Sequence, residues 1–166
     1  MGKRLMIYTA TVLGVVFGSG CGAGDQVSSN ASLVGTWQCL SKTISDDGCV
    51  EEAVSTEEYQ LDGTVSSREE FKFCDEDGTA YEVVANSRSE YELLGDKLVF
   101  TAQSISVSSF KVDGDEVFGN DTETDEAITQ ELSNLIGITI STDVISLTPD
   151  KLVTEYEGDV SRCVRQ

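Results

Sequence analysis

The sequence predicts a mainly β protein: an antiparallel, up-and-down β-barrel of about eight to ten short strands with one short helix. From Leu33 onward, apolar and polar side chains alternate over short segments, turn-forming pairs separate those segments, and one stretch alone has helical spacing. In an open sheet, the two edge strands would leave backbone N–H and C=O groups unpaired. Because full closure removes edges, a barrel is favoured over an open sheet, with a two-sheet sandwich as the competing arrangement.

The strands are recognised by their period of two and by the turns between them. The turns are Asp62-Gly63, Asp77-Gly78, Gly95-Asp96, Asp113-Gly114 and Pro149-Asp150. The predicted strands are Val34 to Leu40, Glu57 to Leu61, Val65 to Phe73, Tyr81 with Val83, Tyr91 with Leu93, Leu98 with Phe100, Ile105 to Val112 after a break near Ser108-Ser109, Asp143 to Leu147, and Leu152 to Tyr156.

One segment has helical spacing instead. Thr124 can cap a helix whose first turn carries acidic residues, which favour the positive end of the helix dipole. Ile128, Leu132, Leu135 and Ile136 share one face, and Gly137 ends the segment. We expect this helix to cover an end or edge of the sheet, with a partner-binding role as the alternative.

The composition excludes several classes of function. The 166 residues include 30 acidic and 11 basic side chains, five cysteines and no histidine, for a net charge of −19. That charge argues against nucleic acid as a partner, since phosphate binding needs clustered lysine and arginine. Without histidine, the common nucleophile–base pairs and most transition-metal sites are absent. We expect no enzyme activity, cofactor or metal, and paired carboxylates are the remaining route to catalysis.

The N-terminus predicts export. Lys3 and Arg4 precede an apolar run over residues 5–17, followed by small residues, so residues 1–20 form a signal peptide that is too short to span a membrane. The segment Gly18-Ser19-Gly20-Cys21-Gly22 resembles the lipobox of bacterial lipoproteins. The resemblance implies that Cys21 carries acyl chains such as palmitate and anchors the protein to a membrane of the bacterial cell envelope. Gly22, in place of aspartate, points to the outer membrane.

Residues 21–32 are small and polar after the lipidated cysteine, so they form a tether of roughly 20 Å, and residues 33–166 form the single folded domain. The four remaining cysteines, Cys39, Cys49, Cys74 and Cys163, suit two disulfides in an exported protein. Three connectivities are possible, and the favoured one is Cys39–Cys49 with Cys74–Cys163. A zinc site is disfavoured because the short spacings typical of zinc ligands are missing.

The segment Leu33-Val34-Gly35-Thr36-Trp37 resembles the G-x-W motif that opens the first strand of lipocalins and of bacterial lipocalin-like domains. Weaker similarities lie in the hairpins at 59–64, 91–98 and 147–152. The resemblance spans roughly Leu33 to Arg165. It implies a calyx fold, an arginine packed over Trp37, for which Arg162 is the candidate, and a Cys74–Cys163 bridge tying the tail to the barrel.

A barrel of eight strands can hold one small ligand or be filled by its own side chains. The residues predicted to line it are Trp37, Tyr59, Phe71, Phe73, Tyr81, Tyr91 and Phe100, mixed with Ser67 and Glu69. We therefore expect a lipid-anchored protein that binds or carries a small hydrophobic or amphipathic molecule. The alternative is a structural or interaction lipoprotein with a filled barrel.

Four acidic clusters suggest calcium-binding sites as an alternative. They are Asp46-Asp47, Asp75-Glu76-Asp77, Asp113-Asp115-Glu116 and Asp121-Glu123-Asp125. None has the spacing of a calcium-binding loop, and most fall in turns, where aspartate is favoured for backbone reasons. Solvated turns are the preferred interpretation.

Overall fold

A computed structural model describes residues 32–44, 49–75 and 77–166. The predicted signal peptide, the lipidation site Cys21 and the tether up to residue 31 lie outside the described residues. So do Asp46, Asp47 and Glu76 of the acidic clusters. No helix in the described part of the chain is both long and apolar enough to cross a membrane.

The described residues form nine strands and one helix. In chain order they are β1 (Gly35–Ile44), β2 (Val50–Tyr59), β3 (Thr64–Cys74), β4 (Ala80–Leu94), β5 (Lys97–Val112), β6 (Asp115–Glu116), α1 (Thr122–Ser133), β7 (Thr139–Leu147), β8 (Lys151–Tyr156) and β9 (Asp159–Arg165). All five predicted turns connect consecutive strands, and a sixth, at Glu157-Gly158, joins β8 to β9.

Eight of these strands close into an antiparallel barrel. The hydrogen-bonded order is β4-β3-β2-β1-β9-β8-β7-β5, and β4 also pairs with β5. That last pairing joins the two ends of the sheet, so neither an open sheet nor a sandwich describes the molecule. The two-residue β6 is a hairpin extension of β5. The predicted fold class, a closed antiparallel barrel with one short helix, is confirmed.

The barrel wall is uneven in height. Strands β4 and β5 have 15 and 16 residues, whereas β8 and β9 have 6 and 7. The segments predicted as separate strands around Tyr81 and Tyr91 are one long β4, paired with β5 through two bulges. One bulge lies at Ser108, where the sequence predicts a break. At about 3.3 Å per residue, the β4–β5 wall extends well beyond the short strands opposite.

The helix covers part of this tall wall. It contacts β5, whose upper half is not paired with β7, and buries Ile128. Asp121, not the predicted Thr124, is the N-cap, and its carboxylate accepts hydrogen bonds from the amides of Glu123 and Thr124. Ile136 lies beyond the C-cap Asn134 and is 49% exposed, so its predicted place on the buried face is wrong.

The four cysteines form two disulfides, but the favoured connectivity is wrong. The bridges are Cys39–Cys163 and Cys49–Cys74. Cys39 and Cys163 are direct partners on the neighbouring strands β1 and β9, with Cα atoms 3.9 Å apart. The two cysteines are 124 residues apart in the sequence, and they meet because closure of the barrel pairs the first strand with the last.

Aspartates at the turns satisfy backbone amides. The Asp75 carboxylate accepts hydrogen bonds from the amides of Asp77 and Thr79, and the Asp113 carboxylate accepts one from Ala80. Hydrogen bonds from Thr79 and Tyr81 lower the pKa of Asp75. These contacts support the turn interpretation of the described acidic residues.

Candidate functional site

One end of the barrel is closed by a compact core. Its buried residues are Leu33, Trp37, Cys39, Tyr59, Val65, Tyr91, Leu93, Leu98, Leu152 and Cys163. The Trp37 indole donates a hydrogen bond of 2.7 Å to the carbonyl of Leu33, so its one polar atom is satisfied. We call this core the floor. The turns β2–β3, β4–β5 and β7–β8 all lie at this end.

Arg165 seals the floor from outside. Its guanidinium lies 4.2 Å from the centroid of the Trp37 ring and donates to the carbonyls of Ser32, Val34 and Pro149. A Cβ at Gly35, where φ is +130°, would lie 2.7 Å from Nη1 of Arg165, so this close approach needs glycine.

The arginine over the tryptophan is therefore Arg165 and not Arg162, which is exposed on β9. The pairing register explains the correction. Arg165 is the direct partner of Trp37, whereas Arg162 is the partner of Leu40 and shares its outward direction.

The residues predicted to line the barrel divide into two groups. Trp37, Tyr59 and Tyr91 belong to the floor, where the two tyrosine rings meet edge to face at 4.9 Å, and Phe100 packs against them. Phe71 and Phe73 on β3 and Tyr81 on β4 lie toward the other end of the barrel and are only half-buried. The first group belongs to the core at the floor, and the second group lies on the inner face beyond it.

An aromatic row crosses β3, β4 and β5 at the end of the barrel away from the floor. Phe73 and Tyr81 stack with centroids 5.1 Å apart, and Phe110 stacks on Tyr81 at 6.1 Å. The Tyr81 hydroxyl donates to Asp75, which fixes its ring against the β3–β4 turn. Phe110 is absent from the predicted lining, although its position in a predicted strand was the signal that could have included it.

The side chains above the floor are less buried than the floor itself. Apart from the buried Phe110, most inward-facing positions beyond the floor on β2 to β5 are half-buried, whereas the floor residues are buried. These half-buried positions are Ser55, Glu57, Ser67, Glu69, Phe71, Val83, Ala85, Ser87, Ile105 and Val107. These side chains on the inner face of the barrel are therefore partly accessible to solvent. We call this part of the interior the lumen.

Two carboxylates project into the lumen directly above the floor. Glu57 is the strand partner of Trp37 and of Ser67, and Glu69 lies one inward position further along β3. Such diagonal neighbours on adjacent strands are roughly 7–8 Å apart. Both are therefore close to the floor and to each other. Glu57 is not among the predicted lining residues, although it shares the inward parity of Tyr59.

Hydroxyl groups hold these carboxylates. Oε1 and Oε2 of Glu57 accept from Ser55 at 2.9 Å and from Tyr59 at 2.7 Å. Oε1 of Glu69 accepts from Ser67 at 2.7 Å, and the Ser67 and Ser87 hydroxyl oxygens are 2.8 Å apart. Because the single Ser67 proton goes to Glu69, Ser87 is the donor to Ser67. The hydroxyl groups thus present their protons toward the acids.

The electrostatics of the lumen follow from these contacts. Burial raises the pKa of Glu69, the Ser67 hydrogen bond opposes that rise, and the charge of Glu57 adds to it. Burial, with the nearby Glu57 carboxylate, raises the pKa of Tyr59 well above its ordinary value. Tyr59 is therefore a neutral hydrogen-bond donor at physiological pH.

The basic side chains of the described strands do not point into the lumen. Eight lysines and arginines on the described strands alternate with inward-facing residues and so point outward: Lys42, Arg68, Lys72, Arg88, Lys97, Lys111, Lys151 and Arg162. Four of them form surface ion pairs with acids. Arg165 is committed to the floor. Within the described part of the chain, the lumen therefore contains acids without a cationic partner.

Comparisons with known proteins give few relatives. The sequence matches no protein-family model and no curated protein. Among solved structures, it is similar to a lipocalin-like protein from Bacteroides uniformis, with 19% identity and a TM-score of 0.42, covering 81% of this chain and 99% of that one. An uncharacterized protein from Bacteroides eggerthii matches with 17% identity and a TM-score of 0.43, covering 80% and 98%.

Proposed function

We propose that this protein is a membrane-anchored, lipocalin-like lipoprotein that binds or carries a small hydrophobic or amphipathic molecule in the bacterial cell envelope. The observation that carries the proposal is the contrast between the sealed floor and the accessible lumen above it. A concave, largely apolar space with a few convergent polar groups is the usual form of a small-molecule site.

The anchoring part of the proposal rests on the sequence and on the position of Ser32. Ser32 lies at the floor, where Arg165 donates to its carbonyl and to that of Val34. A lipid on Cys21 would hold the floor end toward the membrane and leave the lumen open to the aqueous side. The two disulfides suit an oxidising compartment.

The anchor is tested by fractionating cells that express the protein or its Cys21→Ser variant. We expect the wild-type protein in the membrane fraction, with an N-terminal peptide whose mass includes acyl chains. The variant should be released as a soluble protein. A wild-type protein that is soluble and unmodified would contradict the lipoprotein assignment while leaving ligand binding in the lumen open to its own test.

Ligand binding is tested by native mass spectrometry of protein released gently from an oxidising compartment. We expect a small adduct that disappears on denaturation. Ala85→Trp places a bulky side chain on an inward, half-buried position of β4 and should abolish the adduct. The matched control Asn86→Trp, on the exposed outer face of the same strand, should retain it.

An adduct that survives in Ala85→Trp would place the ligand outside the lumen and contradict the proposal. Protein that never carries an adduct would favour the alternative, an interaction lipoprotein. In that case the search moves to the outer face of β1 and β2, where Leu40, Ile44 and Val50 are exposed.

A further inference from the structure

We propose that the lumen selects amphipathic ligands with a positively charged head, an amine or a guanidinium, held between Glu57 and Glu69 with the apolar portion along the aromatic row. This inference rests on the proposed function, because it specifies the ligand class of the same site. Three observations support it: two carboxylates that have no cationic partner among the described residues, the hydrogen-bonding groups around them, and the aromatic row.

The first step of the argument is charge. Glu57 and Glu69 face the same space, and the described basic residues either point outward or are committed to the floor. Two like charges withdrawn from bulk water without a counter-ion are unfavourable. A cationic head placed between them would supply the missing partner, whereas an anionic head would add a third negative charge.

Hydrogen-bonding capacity points the same way. Ser55, Ser67 and Tyr59 donate their protons to the two acids, so these groups have no free proton to offer a ligand. Among the described residues, no group donates to Oε2 of Glu69. The lumen therefore offers a ligand mainly hydrogen-bond acceptors. An ammonium or guanidinium group, which only donates hydrogen bonds, is complementary to these acceptors, whereas a carboxylate is not.

The aromatic row supplies the rest of the complementarity. Phe73 on β3, Tyr81 on β4 and Phe110 on β5 form one continuous stack, further from the floor than the two acids. Aromatic rings offer apolar area to a hydrocarbon chain, and their faces also attract cations. A ligand with a cationic head and an apolar tail would thus place each part against its matching surface.

The test uses three probes that share one tail and differ in the charge of the head: decylammonium, decanol and decanoate. Each is titrated into the purified protein by calorimetry, below its solubility or micelle limit. We expect decylammonium to bind at least tenfold more tightly than decanol, and decanoate to bind more weakly than both. Glu57→Gln and Glu69→Gln should each weaken decylammonium binding about tenfold or more, the effect of losing one charge-assisted hydrogen bond.

Matched controls separate the lumen from the acidic surface. Glu58→Gln and Glu70→Gln remove the same charge from the outward neighbours on the same strands and should leave decylammonium binding unchanged. Decanol binding should be similar in all four variants. Because glutamine preserves side-chain shape, loss of binding in a lumen variant with unchanged circular dichroism reports the charge.

The outcomes distinguish this inference from the proposed function. Equal affinity for decylammonium and decanol, or undiminished decylammonium binding in both lumen variants, overturns the preference for a cation while ligand binding stands. Decylammonium binding that Glu58→Gln or Glu70→Gln weakens as much as the lumen variants also overturns it, because the site is then the outer surface. If no probe binds while the released protein carries an adduct, the cationic amphiphile is overturned and ligand binding stands; if no probe binds and no adduct is found, ligand binding fails as well.

Discussion

Glu69 illustrates how a single buried carboxyl can lower the stability of a fold. It lies among barrel atoms beside Glu57, and within the described part of the chain it has one hydroxyl partner and no cation. A carboxyl whose pKa is raised by folding binds protons more tightly in the folded state than in the unfolded one. The free energy of unfolding therefore falls as pH rises from the ordinary pKa of the group to its raised value.

This sign gives a prediction for Glu69→Gln. At pH 7 the variant should have a higher melting temperature than the wild type, because the ionised acid no longer has to be held in the lumen. The advantage should vanish below about pH 4, where the wild-type carboxyl is protonated in both states. Thermal melts from pH 3 to pH 8 measure it.

The control for this experiment is Glu58→Gln, whose side chain is exposed on the same barrel wall. Its free energy of unfolding should stay within about 0.5 kcal/mol of the wild type at each pH. A Glu69→Gln variant less stable than the wild type at pH 7 would show that the Ser67 hydrogen bond outweighs the cost of burying the charge.

Gly35, Trp37 and Arg165 show what a local motif reveals and what it leaves open. Alternation over Val34 to Leu40 and the resemblance to a G-x-W motif predicted Gly35 and Trp37 in the first strand, where both lie. The identity of the covering arginine depends on strand register, which alternates direction at every residue. Arg162 and Arg165 differ by three positions, so they face opposite sides of β9. The sequence contains both, and only the pairing of β9 with β1 distinguishes them.

At the level of elements, α1 covers the part of β5 that β7 leaves unpaired. Its anchor is Ile128, which is 7% exposed. Ile128→Ala should cost about 2–4 kcal/mol of unfolding free energy, since it removes buried apolar volume that the surroundings refill only in part. Chemical denaturation measures the change. Ile136→Ala, at a residue that is 49% exposed, is the matched control and should cost under about 1 kcal/mol.

If both substitutions have the same small effect, α1 does not contribute to the core and its packing on β5 is wrong. The sequence predicts the existence and approximate extent of this helix from the spacing of its apolar residues. The N-cap could not be chosen from sequence, because Asp121, Thr122 and Thr124 all suit an N-cap and the chain path decides among them.

The two disulfides also have different structural roles. Cys39–Cys163 joins the first and last barrel strands across 124 residues, whereas Cys49–Cys74 ties the start of β2 to the end of β3 across 25. In the chain-entropy description, the longer loop contributes about 5 kcal/mol and the shorter about 3.5 kcal/mol. Replacing Cys39 and Cys163 by alanine should therefore destabilise the protein more than replacing Cys49 and Cys74.

Denaturant titration of the two double variants measures this order, and peptide mapping without reductant establishes the pairing in the wild type. Peptides linking Cys39 to Cys49 would contradict the connectivity. An equal loss of stability in the two variants would contradict the assignment of the larger role to the bridge that closes the barrel.

At the scale of the whole molecule, residues 33–166 contain 29 of the 30 acidic residues and 9 of the 11 basic residues, so the domain carries a net charge of −20. Self-repulsion of this kind opposes the compact state, and salt screens it over a Debye length of about 10 Å at 0.1 M. We expect the melting temperature at pH 7 to rise by several degrees between about 10 mM and 0.5 M sodium chloride. Differential scanning fluorimetry measures it, and an unchanged or falling melting temperature would show that local ion pairs outweigh the general repulsion.

The sequence by itself determined the class of fold. Alternation, turn pairs and one helical stretch are local properties, each readable within a few residues, and they predicted an antiparallel barrel with a helix that the structure confirms. The sequence also predicted which aromatic residues point into the barrel, but it did not predict which of them lie in the floor and which line the lumen. Local patterns show which residues share a face but not how tall the opposite wall is.

Only the tertiary structure decided the contacts that form when the barrel closes. Pairing of β9 with β1 selected the partner of Cys39 and placed Arg165 over Trp37. The register of β2 with β1 and β3 set Glu57 and Glu69 close together on the inner face of the barrel, where both are half-buried. These features join residues far apart in the chain, and their contacts exist only once the register around the whole barrel is set.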